Sequence, residues 1–367
     1  MKIGILTYHR AENYGALLQA YAMLTYLRSL GHEVSFVDYW PKYHSDYFKV
    51  FSLKAFMCSS LKSKLVKLNR LLLMGRTLCQ RKQTMQAFML NQLELTKHPQ
   101  YEDRSLVTEE SYDAVIYGSD QIWRKQNMGG VGFDDWYFGS DNVRAGKKIV
   151  YAGSMGKIDT NPQDDMYIKK QMSNFYRIAV RESDLSDYLT KLHVSSVQVV
   201  DPVFLLSRQD WNKLVIPQRK KRKYILFYNL LNTQESIIFA KQLSRQYGLP
   251  IYEITKKTSV FSSKSHLINN ASIGEFLGLL KDAEYVVSNS FHGVAFSIIY
   301  EKQFYAVGME GKANRVVSLL ESVGIADRYI HSHQNKISAL EIDYDKTTPI
   351  LKSLIEKSMF FLSCALS

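Results

Sequence analysis

Cysteine is scarce in this chain. Only Cys58, Cys79 and Cys364 occur in 367 residues, too few and too scattered for a disulfide framework or a zinc site, so the expectation is reduced thiols in a cytoplasmic protein. No apolar run reaches the roughly 18 residues that a membrane-spanning helix needs. The opening Met1-Lys2-Ile3-Gly4-Ile5-Leu6 turns polar at Thr7, too soon for a secretory leader, and reads as a first strand. There is no internal repeat, no low-complexity tract and no G-x-G-x-x-G, so dinucleotide binding has no support. Hydrophobic residues at 46% and charged residues at 22% exclude a disordered chain.

What is present is positive charge, unevenly placed. Lys and Arg number 47 against 35 Asp and Glu, a net charge of +12. Between Lys49 and Gln100 stand Lys49, Lys54, Lys62, Lys64, Lys67, Arg70, Arg76, Arg81, Lys82 and Lys97 against the single acid Glu94. Leu61, Leu65, Leu68 and Leu72 fall on one helical stripe there, with Lys62, Lys67 and Arg70 on other faces, and Gly75 is a candidate break between two helices. A second basic cluster, Arg219-Lys220-Lys221-Arg222-Lys223, follows Pro217 and reads as an interdomain linker. Neither carries a recognition-helix or ribonucleoprotein pattern, so no nucleic-acid partner is expected. An anionic surface or ligand is the implied partner.

Strand and helix signals alternate twice. Strands are expected at Lys2–Tyr8, Glu33–Tyr39, Asp113–Ser119, Lys148–Met155, Ile178–Glu182 and Val197–Asp201, with helices at Tyr14–Leu30, Gln163–Tyr176 and Ser183–Leu192. The second set places strands at Tyr224–Asn229, Ile251–Thr255, Tyr285–Ser290 and Phe304–Val307, and helices at Gln234–Tyr247, Ile273–Leu280, Val294–Tyr300 and Ala313–Val323. Two such sets predict an α/β protein of two Rossmann-like doubly wound domains facing a cleft, residues 1–210 with a basic helical insertion at about 49–97, and residues 211–367, whose last helix is expected to pack back on the first.

Ligands in such sheets bind beyond the carboxyl ends of strands, and five polar clusters fall there. Asn13-Tyr14-Gly15 opens the first helix, where free N–H groups and a small glycine admit an anion or hydroxyl, although an N-cap accounts for Asn13 alone. Gly118-Ser119-Asp120-Gln121-Ile122-Trp123 ends an apolar strand. Asp120 could hold or deprotonate a hydroxyl and Trp123 could stack on a sugar, or they are a capping carboxylate and a core indole. Tyr151-Ala152-Gly153-Ser154-Met155-Gly156 lacks the continuation of a P-loop and reads as tight packing. Arg181 in Val180-Arg181-Glu182-Ser183 suits a phosphate or carboxylate, or else a salt bridge at the sheet end. Ser288-Asn289-Ser290-Phe291-His292-Gly293 is the sharpest signal, joining hydroxyls, an imidazole and a helix start. Asp343-Tyr344-Asp345 and His331-Ser332-His333 lack the context of a metal site, and no metal is expected.

Together these clusters resemble the polysaccharide pyruvyl transferase family over most of the chain. The landmarks are Asn13-Tyr14-Gly15-Ala16 with Leu18-Gln19-Ala20, Gly118 to Trp123, Val180-Arg181-Glu182, Asp201-Pro202, Ser290-Phe291-His292-Gly293, and Arg315 with Ser318-Leu319-Leu320. Gly153-Ser154-Met155-Gly156 departs from the family's Ala-Ser-Phe-Gly by a packing change. The resemblance implies a glycosyltransferase-B-like architecture and transfer of a pyruvyl group from phosphoenolpyruvate, as a cyclic ketal, to a sugar of a cell-surface polysaccharide (capsule, exopolysaccharide or cell wall) or its lipid-linked precursor. It implies no cofactor beyond that donor.

On this footing His292 is the candidate acid and Asp120 the candidate base or hydroxyl anchor. Asn13, Tyr14, Gly15, Ser119, Trp123, Arg181, Ser290, Phe291, Gly293 and Arg315 are candidate substrate-binding residues. His292→Ala and Arg181→Ala are expected to abolish transfer with little change in thermal stability. Candidate acceptor loops are Lys256–Ser265 and Met128–Ser140. The basic segment is expected either to hold the enzyme at the inner face of an anionic membrane or to be a solvated helical face. Two other functions share the architecture: a nucleotide-sugar glycosyltransferase, against which stands the absence of E-x₇-E in the C-terminal half, and a non-catalytic glycan-binding protein.

Overall fold

The computed structural model describes residues 1–47, 56–57, 60–95, 100–126, 132–218, 222–255, 265–309, 313–331 and 341–367. Two six-stranded sheets, both wholly parallel, organise the chain. The first is built from β1 (Lys2–Leu6), β2 (Glu33–Phe36), β3 (Tyr112–Tyr117), β4 (Ala145–Gly153), β5 (Arg177–Val180) and β6 (Val197–Gln198), in the spatial order β2-β1-β3-β4-β5-β6. The second contains β7 (Ile225–Asn229), β8 (Ile251–Thr255), β9 (Ser265–Ile268), β10 (Tyr285–Ser288), β11 (Gln303–Val307) and β12 (Tyr329–Ile330), in the order β9-β8-β7-β10-β11-β12. The architecture is the expected pair of Rossmann-like α/β units. Each sheet reverses its winding once, between β1 and β3 in the first and between β7 and β10 in the second, and such switch points open a crevice at the strand ends.

The inner strands are apolar on both faces because helices cover both: Ile225–Asn229 is buried at every residue. The helices begin where capping chemistry permits. Pro162–Met172 starts from a capping box of Asn161 and Asp164 with proline in its first turn, and Ile273–Asp282 from one of Ser272 and Glu275. Gly31, at φ 82°, follows the helix Tyr14–Ser29 in the left-handed conformation that ends helices.

Three expectations change. Gly75 does not divide the basic segment, since one helix runs from Leu61 to Asn91; a single glycine costs only about 1 kcal/mol in a helix, which its packed inner end offsets. Strands β9 and β12 were not foreseen, being short edge strands with polar flanks. The helix expected at Val294–Tyr300 begins three residues earlier, at Phe291. Residues 219–221 of the proposed linker, 128–131 and 256–264 of the proposed acceptor loops, and His333 lie outside the described residues, as do the side chains of Leu61, Lys62, Lys67 and Arg70. Asp343 serves as the N-cap of the last helix, accepting from the Asp345 N–H.

The halves are fastened by buried contacts. Tyr14 lies flat on Phe276 at 4.4 Å and donates its hydroxyl to the Ala271 carbonyl at 2.6 Å. The guanidinium of Arg81, from the inserted helix, caps the Tyr14 ring at 5.1 Å. The final helix Tyr344–Leu366 reaches the first sheet's unit, where Ser358 Oγ accepts from the Val200 N–H at 3.0 Å and Phe361 packs beside Tyr151.

Candidate functional site

Both switch points open onto one cavity of about 180 Å³. The first half contributes Asn13 and Ala16 beyond β1 and Asp120, Gln121 and Arg124 beyond β3; the second contributes Leu230 and Leu231 beyond β7, and Asn289, Ser290, Phe291 and His292 beyond β10, with Met309 and Arg315. A larger cavity of about 420 Å³ lies on the first unit, between Lys169, Arg177, His193 and Phe361. It holds none of the residues singled out from the sequence and sits away from both switch points.

The helix Phe291–Ile299 points its N-terminus at the cleft. Its N-cap, Ser290, makes no side-chain capping bond, and no acid lies in the first turn. The first N–H groups and the positive end of the helix dipole are therefore available to an anion. Asn289 is committed to scaffolding instead, accepting from the Leu230 and Leu231 N–H groups and donating to Asn229 and Ser236.

His292 is the pivot. Its Nε2 has no hydrogen-bond partner and stands 3.7 Å from Asp201 Oδ2. Burial depresses its pKa from 6.5 to about 4; Asp201 and Asp120 pull it up, while Arg181 and Arg315 push it down. The imidazole is therefore neutral at pH 7 without a ligand. Its other nitrogen faces Gly15, where a Cβ would come within 2.0 Å of Nδ1. Gly15 is thus explained by the approach of this ring from the opposite half.

Behind the histidine lies a closed ionic cluster. Arg181 donates from Nε to Glu182 at 3.0 Å and from Nη1 to Asp201 at 2.5 Å and Ser119 Oγ at 3.2 Å. Ser119 Oγ donates to the same Asp201 oxygen, and Asp201 Oδ1 accepts the Val203 N–H. All four side chains are buried. Burial raises the Asp201 pKa, but the nearby His292 and Arg181 and the Val203 N–H outweigh it and hold the carboxylate below its usual range. Burial likewise opposes the charge on Arg181, and Glu182 and Asp201 reverse that, leaving it more firmly protonated than usual. Among the described residues Arg181 Nη2 and Glu182 Oε2 are left without a hydrogen-bond partner.

Arg315 is the opposite case. Among the described residues no carboxylate reaches ion-pair distance of it. It is half-buried, and burial followed by the charge of Arg181 lowers its pKa. Both guanidinium groups pack on the Phe291 ring, Arg181 at 4.6 Å and Arg315 at 5.8 Å from its centroid. Phe291 thus carries both cations as well as forming a cavity wall.

Of the residues singled out from sequence, the structure brings Asn13, Asp120, Ser290, Phe291, His292 and Arg315 to the cavity. Asn13 also caps its helix by accepting from the Gly15 N–H. Asp120 sits at φ 68°, a left-handed conformation that costs a non-glycine residue energy and that here turns the chain at the strand end. The others do not line it. Tyr14 is the interdomain clamp. Trp123 is fully buried and donates to the Tyr137 carbonyl at 2.8 Å, the core alternative. Gly153 admits that indole, since a Cβ there would lie 3.0 Å from the ring. Ser119 and Arg181 belong to the ionic cluster, so the salt-bridge alternative describes Arg181. Gly293 fits against Ser288 and Tyr228. Gln121, Arg124, Leu230, Leu231, Met309 and Asp201 were not singled out as site residues. Asp201 carried a legible signal, an Asp-Pro directly after an apolar strand; Leu230 and Leu231 carried none. Among the described residues no group of three His, Cys, Asp or Glu is arranged to hold a metal ion.

A family model described as polysaccharide pyruvyl transferase matches residues 13–310. None of the curated proteins compared with the chain matches it. Among solved structures, the UDP-GlcNAc 2-epimerase from Neisseria meningitidis bound to UDP-GlcNAc aligns with a TM-score of 0.47 and 8% identity over 100% of this chain and 94% of that one. The UDP-N-acetylglucosamine 2-epimerase from Rickettsia bellii gives 0.45 and 11% over 99% and 96%. The E. coli heptosyltransferase WaaC with ADP-2-deoxy-2-fluoro heptose gives 0.38 and 11% over 84% and 88%.

Proposed function

The chain belongs to the polysaccharide pyruvyl transferase family, and from that premise we propose that it transfers a pyruvyl group from phosphoenolpyruvate to two hydroxyls of one sugar, closing a cyclic ketal and releasing phosphate. One observation carries the reading: a single cavity joins an uncapped helix N-terminus with an arginine that meets no carboxylate, and an imidazole whose Nε2 has no hydrogen-bond partner, among the described residues. Phosphoenolpyruvate carries a phosphate and a carboxylate, and Arg315 with the first N–H groups of Phe291–Ile299 suits those two anions. Arg181 acts from behind as a positioning residue that fixes Asp201 below His292.

The chemistry begins with protonation of the enol methylene, which leaves a cation at C2. A sugar hydroxyl adds there and loses its proton to a base, for which Asp120 is the candidate. A second hydroxyl then gives up its proton and forms the other C–O bond as the C2–O bond to phosphate breaks, and the departing phosphate takes up one proton, so the two hydroxyl protons lost balance the two gained at the methylene and the phosphate. His292 supplies the first proton or the one that leaves with phosphate. A neutral imidazole cannot donate in this way, so it must first gain a proton. The donor's negative charges favour that gain, because nearby anions raise a histidine pKa. His292 is thereby competent when the donor is bound.

The acceptor is a glycan or a lipid-linked oligosaccharide. The basic helix Leu61–Asn91 exposes Leu65, Leu68 and Leu72, a pattern suited to the inner face of an anionic membrane, where each basic residue contributes roughly 1 kcal/mol. Among the described residues no helix is long and apolar enough to cross a membrane. Incubation with phosphoenolpyruvate and a panel of glycans tests the reading. Phosphate release that requires both substrates is expected. Turnover only with a nucleotide sugar would make the chain a glycosyltransferase, and glycan binding without turnover would make it a binding protein.

A further inference from the structure

A second cavity, of about 190 Å³, adjoins the first and shares Gln121, Arg124 and Arg315 with it. Its remaining walls are Met155, Gly156, Lys157 and Asn314. Three of its seven lining residues are cations and none is an acid. Arg124 and Arg315 have no carboxylate at ion-pair distance among the described residues, and Lys157 has only the exposed Asp159 at 3.6 Å. The helix Asn314–Ser322 starts at this wall with no side-chain cap and no acid in its first turn. Asn314 is held in place by donating to Asp184 across the halves at 2.7 Å. The first cavity contains His292 and Asp120; the second contains neither.

Resting on the proposed pyruvyl transfer, we propose that this second cavity binds a phosphate or diphosphate group carried by the acceptor, which sets the acceptor's sugar hydroxyls beside the donor. A site whose two arginines meet no carboxylate among the described residues, and whose helix N–H groups are free, is poorly satisfied by a neutral glycan and well satisfied by such an anion. The shared arginines place that anion next to the donor's own charges, so two anionic substrates are held side by side by one cationic partition. Lys157 belongs to the second cavity alone and distinguishes the two.

The test is calorimetric titration of inorganic pyrophosphate into the protein, free and saturated with phosphoenolpyruvate. Pyrophosphate is expected to bind in both cases, and Lys157→Gln to weaken it about five- to tenfold while changing phosphoenolpyruvate affinity less than about twofold. One-for-one competition with phosphoenolpyruvate, or pyrophosphate binding indifferent to Lys157→Gln, would overturn the subsite. The released phosphate is the other possible source of this anion. If Lys157→Gln shifts inhibition by inorganic phosphate and leaves the acceptor KM unchanged, the acceptor assignment fails. If phosphoenolpyruvate does not bind at all, the proposed function fails, yet the pyrophosphate titration of the free protein still reads the subsite.

Discussion

Two arginines packed on one phenylalanine ring have different fates. Arg181 is buried among Glu182, Asp201 and Ser119, with one nitrogen left over. Arg315 stands against the same ring, half-buried and without a carboxylate partner among the described residues. In the sequence both look like anion binders close to a family landmark. The difference teaches that a cation near the cleft is left open to a ligand only when the fold has not already supplied its anions.

The comparison breaks most visibly at Arg181. Removing it strands two buried carboxylates, and loss of one partner from a buried ion pair typically costs about 3–5 kcal/mol. Arg181→Ala is therefore expected to lower the thermal midpoint sharply, contrary to the sequence-based expectation of unchanged stability; a midpoint within a degree or two of the wild type would return Arg181 to the role of ligand contact. His292→Ala is expected next, with turnover reduced about 10²–10⁴-fold, the range for a general acid, and near-native stability at pH 7. The same variant sharpens the picture through pH. The unfolded chain takes up this proton below about 6.5 and the folded protein only near 4. Stability from the buried neutral ring is complete above the higher value and is lost as pH falls between the two. Acid unfolding curves should show that slope in the wild type and less of it in His292→Gln.

Arg315→Ala is expected to reduce turnover about 10–100-fold by loss of a charge-assisted contact, with little change in thermal midpoint. A large loss of stability there would erase the contrast with Arg181. The smallest effect is expected at the interdomain clamp. Tyr14→Phe keeps the stack on Phe276 and removes only the hydrogen bond to Ala271, a cost of about 1 kcal/mol measurable by denaturant unfolding.

The parallel sheets were legible because buried strands and capped helices leave local signatures, as at Ile225–Asn229 and Ser272–Glu275. The cavity was legible where one element carries both chemistry and position, as at Ser290-Phe291-His292. It was not legible where the partner decides. Trp123 could not reveal that Gly153 makes room for its indole inside the core. Arg181 could not reveal that Asp201, twenty residues on, would occupy it. Leu230 and Leu231 reach the cavity only because β7 and β10 meet at a switch point, a fact of topology.

The contact between His292 and Gly15 has a consequence for motion. An imidazole from one lobe rests against the backbone of the other, with Asp201 of that other lobe beneath it. Were the lobes to stand ajar, the ring would lose both its backstop and its charged neighbour at a stroke. Under the proposed transfer, a ring latched in this manner would be idle until the lobes shut, which would spare the donor from adventitious water before an acceptor arrives.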